Sequence, residues 1–129
     1  MSDLRFKGNF NVENKLFSVR LSLIEFEEDD AVIVYSPALD LYGYGNSGDE
    51  ARSSFHIALE EFLRYTHNKG TFREVLEGLG WAIKGGKKHP QFKPPLNSTL
   101  VAKNQSYNEI INSKDYKSYH EDVQLPVLA

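Results

Sequence analysis

The chain has 129 residues, no cysteine and a formal net charge of -3, with 15 Lys and Arg against 18 Asp and Glu. That length suits one ordinary domain able to bury a core without covalent staples, and the lack of cysteine excludes disulfide frameworks, thiol nucleophiles and thiolate zinc sites. A slight excess of acid gives no global pull toward nucleic acid or an anionic membrane.

No apolar run approaches the roughly 20 residues of a membrane span, and no basic-then-apolar leader opens the chain. A soluble, cytoplasmic protein with no membrane partner and no cofactor is the expectation. Charge is unevenly spread: Glu25, Glu27, Glu28, Asp29 and Asp30 are clustered, as are Lys84, Lys87, Lys88 and Lys93 with His89 among them.

Residues 1–15 are polar without a sustained period and read as a flexible lead-in. From Leu16 the pattern changes. Phe17, Val19, Leu21 and Leu23 alternate with Ser18, Arg20 and Ser22, the period of two that makes one strand face apolar and the other wet. Glu27 to Asp30 then form a hairpin turn. Ala31 to Tyr35 is apolar without alternation, which predicts a second strand covered on both faces or central in its sheet. Pro37 ends it, and a third short strand spans roughly Asp40 to Tyr44.

A glycine-rich turn through Gly43, Gly45 and Gly48 leads into the main helix. Apolar residues recur at Ala51, Phe55, Ala58, Leu59 and Phe62, the spacing of one helical face. Ser53, His56, Glu60, Glu61 and Arg64 take the other, with Glu60 and Arg64 four residues apart for an ion pair. Ser47 and Glu50 form a capping box, in which the serine accepts from a backbone N–H three residues on while the glutamate reaches back. Thr71 and Glu74 repeat the pattern before a short helix carrying Phe72, Val75, Leu76 and Leu79, ended by Gly78 and Gly80. Trp81 and Ile83 suggest a fourth strand on the sheet edge.

From Lys84 to Pro95 glycine, lysine and proline dominate, the composition of a loop or linker. Beyond it Ser106 and Glu109 predict a third capping box, Tyr107, Ile110 and Ile111 share a helical face, and Asp115 to His120 read as a further turn. The apolar segment from Val123 to Leu128 should dock on its own core or on a neighbour by strand addition. The expected fold is α+β: a three- or four-stranded antiparallel sheet packed against one main amphipathic helix, with a short second helix and a C-terminal tail. Its parts are the lead-in 1–15, a core domain 16–84, a Gly/Lys/Pro-rich linker 85–97 and a helical and strand-like tail 98–129.

Pro37, Ala38 and Leu39, then Gly45, Asn46, Ser47, two variable positions, Glu50 and Ala51, followed by a helix with Ala58, Leu59 and Glu60, resemble the HicB-like antitoxin family. That family has Gly, Asp, Thr where this chain has Gly45, Asn46 and Ser47, which still supply turn and cap oxygens. The resemblance covers Phe17 to Tyr65. It implies a partial double-stranded-RNA-binding-type fold, homo-oligomerisation, and neutralisation of a small ribonuclease partner, HicA. Such antitoxins commonly carry a C-terminal DNA-binding module; residues 97–129 fit neither a helix-turn-helix nor a ribbon-helix-helix, so operator binding is not the expectation and a solitary member is one reading. Leu79, Gly80 and Trp81 ahead of His89 are also similar to the toxin's own strand signature, although the toxin's Gly, Ser, His is here Lys87, Lys88, His89.

Three readings follow. In the first, a non-enzymatic interaction module uses Glu27, Glu28, Asp29, Asp30, Glu60 and Glu61 to hold a HicA-like ribonuclease or another basic protein, with charge complementarity setting rate and register. In the second, RNA binds through Lys84, Lys87, Lys88, His89 and Lys93, with Tyr42 and Tyr44 stacking on bases. In the third, His89 is a general acid/base acting on RNA. The four histidines are too scattered for a metal site, and the glycine turn lacks the Lys and Ser or Thr of a phosphate loop.

Overall fold

A computed structural model describes residues 16–85 and 91–126. The lead-in, and with it Lys87, Lys88 and His89, lies outside the described residues. Six strands and four helices follow in the order β1 (Leu16–Glu28), β2 (Ala31–Ser36), β3 (Leu41–Gly45), α1 (Gly48–Lys69), α2 (Phe72–Gly78), β4 (Ala82–Lys84), β5 (Gln91–Lys93), α3 (Asn97–Lys103), α4 (Gln105–Ser113) and β6 (Tyr116–Pro126). The fold is the expected α+β. A four-stranded antiparallel sheet runs β3-β2-β1-β6, and β4 and β5 form a separate hairpin.

The first hairpin is tighter than the sequence suggests. Glu27 and Glu28 belong to β1, paired with Val32 and Ala31, and only Asp29 and Asp30 make the turn, at φ 51 and 67. Those signs are the ones a two-residue turn needs to match strand twist, and Asp tolerates them because its short side chain bonds locally.

Alternation along β1 holds as far as Leu23. Val19, Leu21 and Leu23 are buried toward α1, while Ser18, Arg20 and Ser22 face outward and are exposed. Beyond it the outward-facing Ile24 and Phe26 are buried as well, because the outer face of the sheet is covered at that end. The cover comes from the C-terminal helices: the Asn104 amide, at the α3–α4 junction, donates to the Tyr35 hydroxyl at 2.9 Å, and Tyr107, Ile110 and Ile111 join the same apolar cluster. The missing alternation in β2 has this cause. Val34 packs under α1 and Tyr35 under the C-terminal helices, and both are fully buried.

Ser47 caps α1 as its spacing predicts, accepting from the Glu50 N–H at 3.2 Å, while the Glu50 carboxylate receives the Asn46 N–H at 2.8 Å. The buried face is Ala51, Phe55, Leu59, Leu63 and Thr66, so the stripe turns onto Leu63 where the sequence suggests Phe62. Gly43 and Gly45 are less turn residues than contact residues. A Cβ at Gly43 would lie 2.3 Å from the Ala51 carbonyl oxygen and the Phe55 nitrogen. Only glycine lets β3 approach the helix backbone so closely.

Several local expectations are corrected. Trp81 and Ile83 lead into β4, which pairs with β5 and not with the main sheet. Gln91–Lys93 is therefore a strand within the basic stretch, and its Phe92 is buried against Phe72, with ring centroids 5.9 Å apart. The fourth strand of the sheet is β6, which pairs with β1 from Phe26–Tyr116 to Leu16–Pro126; Asp115 to His120 enter this strand and add no helical turn. Finally, Thr71 makes no side-chain cap bond, and α4 is capped by Asn104, which accepts from Tyr107 N–H at 3.0 Å, with Ser106 inside the helix.

Candidate functional site

The acidic residues of the sequence reading separate into two groups. Glu27, Glu28, Asp29 and Asp30 are all exposed at the β1–β2 end of the sheet. Glu60 and Glu61 lie on α1, whose first turns reach that end: Arg52 bonds Glu25 at 3.0 Å. Eight residues further along the helix, at 1.5 Å each, Glu60 is about 12 Å away from Arg52 along the axis. It is also paired with Arg64 at 3.7 Å. The hairpin end instead gains Asp49 and Glu50 from the first turn of α1, where carboxylates also favour the helix dipole.

This end of the sheet is aromatic as well as acidic. Direct cross-strand partners on the outer face run Tyr44, Ile33, Phe26, Tyr116 across all four strands. The middle two are covered, but the outer tyrosines are 51% and 43% exposed. Tyr42 and Tyr44 stack with ring centroids 6.0 Å apart and planes 5° from parallel, and Tyr42 continues the stack onto buried Tyr35 at 4.4 Å. Burial, Tyr42 and the nearby Glu28 carboxylate together raise the Tyr44 phenol pKa. The Tyr42–Tyr44 platform thus stands near Glu28 and the other exposed carboxylates of the hairpin, a setting that suits a cationic partner and disfavours a phosphate backbone.

A groove of about 500 Å³ opens beside this row, with Phe26, Glu27, Val32, Asp115 and Tyr116 among its lining residues. Lys114 crosses toward Glu28 at 3.5 Å, the one basic group among the described residues that meets the hairpin carboxylates directly. The edge strand β3 is partly closed to further pairing, because the Tyr44 N–H donates to the Ser54 hydroxyl of α1 at 3.1 Å.

The residues of the basic stretch that are described lie elsewhere. Ala82 pairs with Lys93 and Lys84 with Gln91, so the β4–β5 hairpin turns Phe92 to the core and shows Lys84 and Lys93 together to solvent. Arg20 is held by Asp122 at 3.3 Å on the outer face of the main sheet. The acidic hairpin end and the lysine hairpin are separate surfaces.

Two polar clusters have no counterpart in the sequence reading. His56 of α1 meets Glu121 of β6 at 2.6 Å, with the glutamate side chain only 2% exposed. Beside it, burial and then Glu121 push the Tyr119 phenol up to about 12. At the opposite end of β2, the Tyr35 hydroxyl donates to Asp40 at 2.7 Å and accepts from Asn104; burial first, and then the Asp40 acceptor, raise its pKa steeply. Each cluster joins residues 65 or 69 positions apart, a proximity that no local spacing encodes. Among the described residues no three metal-binding side chains converge, and no helix is long and apolar enough to cross a membrane. No protein-family model matches the chain, and neither a curated protein nor a solved structure is detectably similar to it.

Proposed function

We propose that the chain is a protein-interaction module of the HicB-like antitoxin type, which holds a basic protein, of the HicA-like ribonuclease class, against the acidic end of its sheet. The observation that carries this reading is the coincidence of exposed tyrosines with exposed carboxylates: Tyr44 and Tyr116 end the aromatic row at the hairpin bearing Glu27, Glu28, Asp29 and Asp30. Desolvated aromatic anchors supply binding energy, and a ring of acidic groups steers a cationic partner and fixes its register. Cations of the partner, arginine above all, find both a π face and a carboxylate there. Glu60 and Glu61 belong to a different surface and are left out of this interface. Self-association, the other partner expectation, would use the far side of β6, with which no strand pairs among the described residues.

The test compares the chain with a triple variant, Glu27→Gln, Asp29→Asn and Asp30→Gly, as bait in a nuclease-treated lysate of the native host at low salt. Asn-Gly keeps the turn conformation while removing charge. The reading expects one small basic protein to bind the parent chain and to be lost from the variant. Recovery of RNA alone when nuclease is omitted, released at higher salt, would move the assignment to the Lys84 and Lys93 surface.

A further inference from the structure

We propose that the cleft between the Pro37–Asp40 turn, the end of α2 and the α3–α4 junction binds a small zwitterion of the amino-acid or dipeptide class, its ammonium group on Asp40 and Glu77 and its carboxylate on Lys103. The cleft holds about 580 Å³, within the roughly 300–1,000 Å³ of small-molecule sites. It lies at the opposite end of β2 from the acidic hairpin and does not depend on the interaction proposed there.

Three segments distant in the chain are fastened together to make it. The Trp81 indole N–H donates to the Ala38 carbonyl at 2.8 Å, and the Asn104 amide reaches the Pro37 carbonyl at 3.4 Å as well as the Tyr35 hydroxyl. Tyr35, fully buried, in turn orients one oxygen of Asp40. Asp40 sits at φ 55, a left-handed conformation that Asp tolerates because its short side chain bonds locally, here to the Tyr35 hydroxyl. The Pro37–Asp40 turn is therefore fixed to Trp81 and to the α3–α4 junction before any ligand arrives, and Asp40, Glu77 and Lys103 stand exposed around the opening.

Charges of both signs face this space without meeting. Asp40, Glu77 and Lys103 all line the cleft, yet among the described residues none of the three joins an ion pair. Lys103 thus stands apart from both carboxylates by more than ion-pair distance, a gap that a ligand carrying one charge of each sign can bridge. Pro37, Leu79 and Leu100 add apolar surface for a side chain. A purely anionic ligand would match Lys103 but leave both carboxylates unmatched, and a purely cationic one would leave Lys103 unmatched.

The test is an NMR amide-shift titration of the full chain with L-leucyl-L-leucine, its N-acetyl form, its C-terminal amide, and free L-leucine. The expected result is saturable shifts around residues 78–80 and 103–106, with the zwitterionic dipeptide or leucine binding at least about tenfold more tightly than either capped form, a difference of ~1.4 kcal/mol. Which of the two zwitterions binds more tightly decides between the amino acid and the dipeptide. Lys103→Met should abolish the preference over the amide. Asp40→Asn, which tolerates the left-handed turn and keeps an acceptor for Tyr35, should abolish the preference over the N-acetyl form, and Glu77→Gln serves the same purpose should that variant not fold. Absence of saturation by either zwitterion up to about 10 mM, or equal binding of the capped forms, overturns the proposal.

Discussion

Replacing Gly43 by alanine tests how the sheet and its main helix are held together. The added carbon would sit 2.3 Å from both Ala51 O and Phe55 N and 2.7 Å from Phe55 Cα. These are backbone atoms of α1, so no side-chain rotation relieves the clash. Restoring an ordinary contact of 3.4 Å requires the helix to retreat by roughly 1 Å, and a radial gap of that size forfeits a quarter to a half of each dispersion contact it opens. Phe55 and Leu59, fully buried at this interface, bear that loss. Overpacking commonly costs 1–3 kcal/mol, and a rigid backbone obstacle belongs at the top of that range, about 3 kcal/mol. For a domain stable by some 5–15 kcal/mol this is a large fraction. Two other glycines calibrate the measurement. Gly70 has open space around it but φ 69, so Gly70→Ala should cost about 1 kcal/mol through the left-handed backbone alone. Gly78 closes α2 with nothing within 4 Å, so Gly78→Ala should be neutral or stabilise by about 0.5 kcal/mol. Urea unfolding of the three variants gives the ranking. If Gly43→Ala proved no more costly than Gly70→Ala, the close strand–helix approach would not be what that glycine is for.

Other consequences are open to direct measurement. His56→Ala leaves the Glu121 carboxylate buried without its imidazole partner, and should cost at least about 1–3 kcal/mol; the double variant His56→Leu with Glu121→Leu should recover most of that loss in a double-mutant cycle, since an apolar pair of similar volume can replace a buried polar one. The Tyr119 phenol is raised from 10.0 to about 12, so its contribution to stability is complete below pH 10 and disappears as pH rises from there to about 12, where the unfolded chain ionises first. Phenolate absorbance of the folded protein should accordingly lag that of the urea-unfolded chain, Tyr119→Phe should remove part of the lag between pH 10 and about 12, and an unchanged lag in that variant would exclude the burial on which the shift rests. Ser54→Ala removes the acceptor of the Tyr44 N–H on the edge strand; hydrogen exchange at Tyr44 should quicken while global stability falls by about 0.5 kcal/mol or less.

The strongly periodic elements were legible in advance, and the others were not for identifiable reasons. β1 shows its alternation because Ser18, Arg20 and Ser22 face water, where they pair with Gln124, Asp122 and His120. α1 carries both a cap and an apolar stripe. The first half of β6 hides its period because Glu121, a charged residue, occupies an inward position beside Val123 and Leu125 and is compensated by a histidine 65 residues earlier. A strand that buries a paired glutamate does not look like a strand when read by hydrophobicity. Trp81 and Ile83 are recognisable as extended, but pairing partners are not written in a strand's own residues, and the sheet edge is occupied by β6. In the candidate interface, the acidic hairpin was plain from the run Glu27 to Asp30. Its association with Tyr44 and Tyr116 was not, since that row depends on the registers of three separate strand pairs.

The position of the acidic end follows from how the two faces of the sheet are covered. α1 starts at this end and runs away from it across the inner face, packing most closely on β3 through Gly43 and Gly45. The C-terminal helices reach the outer face through Tyr35 and Asn104 and leave it again where Ser113 and Lys114 turn into β6. Between those two coverings the sheet extends by the length of the hairpin tip, with Glu27, Glu28, Asp29 and Asp30 exposed and its outermost aromatic row half uncovered. An uncovered sheet end invites edge and face association with any apolar surface. On the function proposed above, the carboxylates would make that association selective, since a neutral or acidic surface placed there must desolvate them without compensation, whereas a basic one neutralises them. Lys114, already drawn to Glu28 at 3.5 Å, shows on a small scale how a cation settles at this tip, and Lys114→Ala should therefore strengthen capture of a basic partner rather than weaken it. Competition between Lys114 and the partner's own cations for Glu28 would appear as a slower dissociation rate in the variant. An unchanged or faster rate would mean that the partner does not engage Glu28.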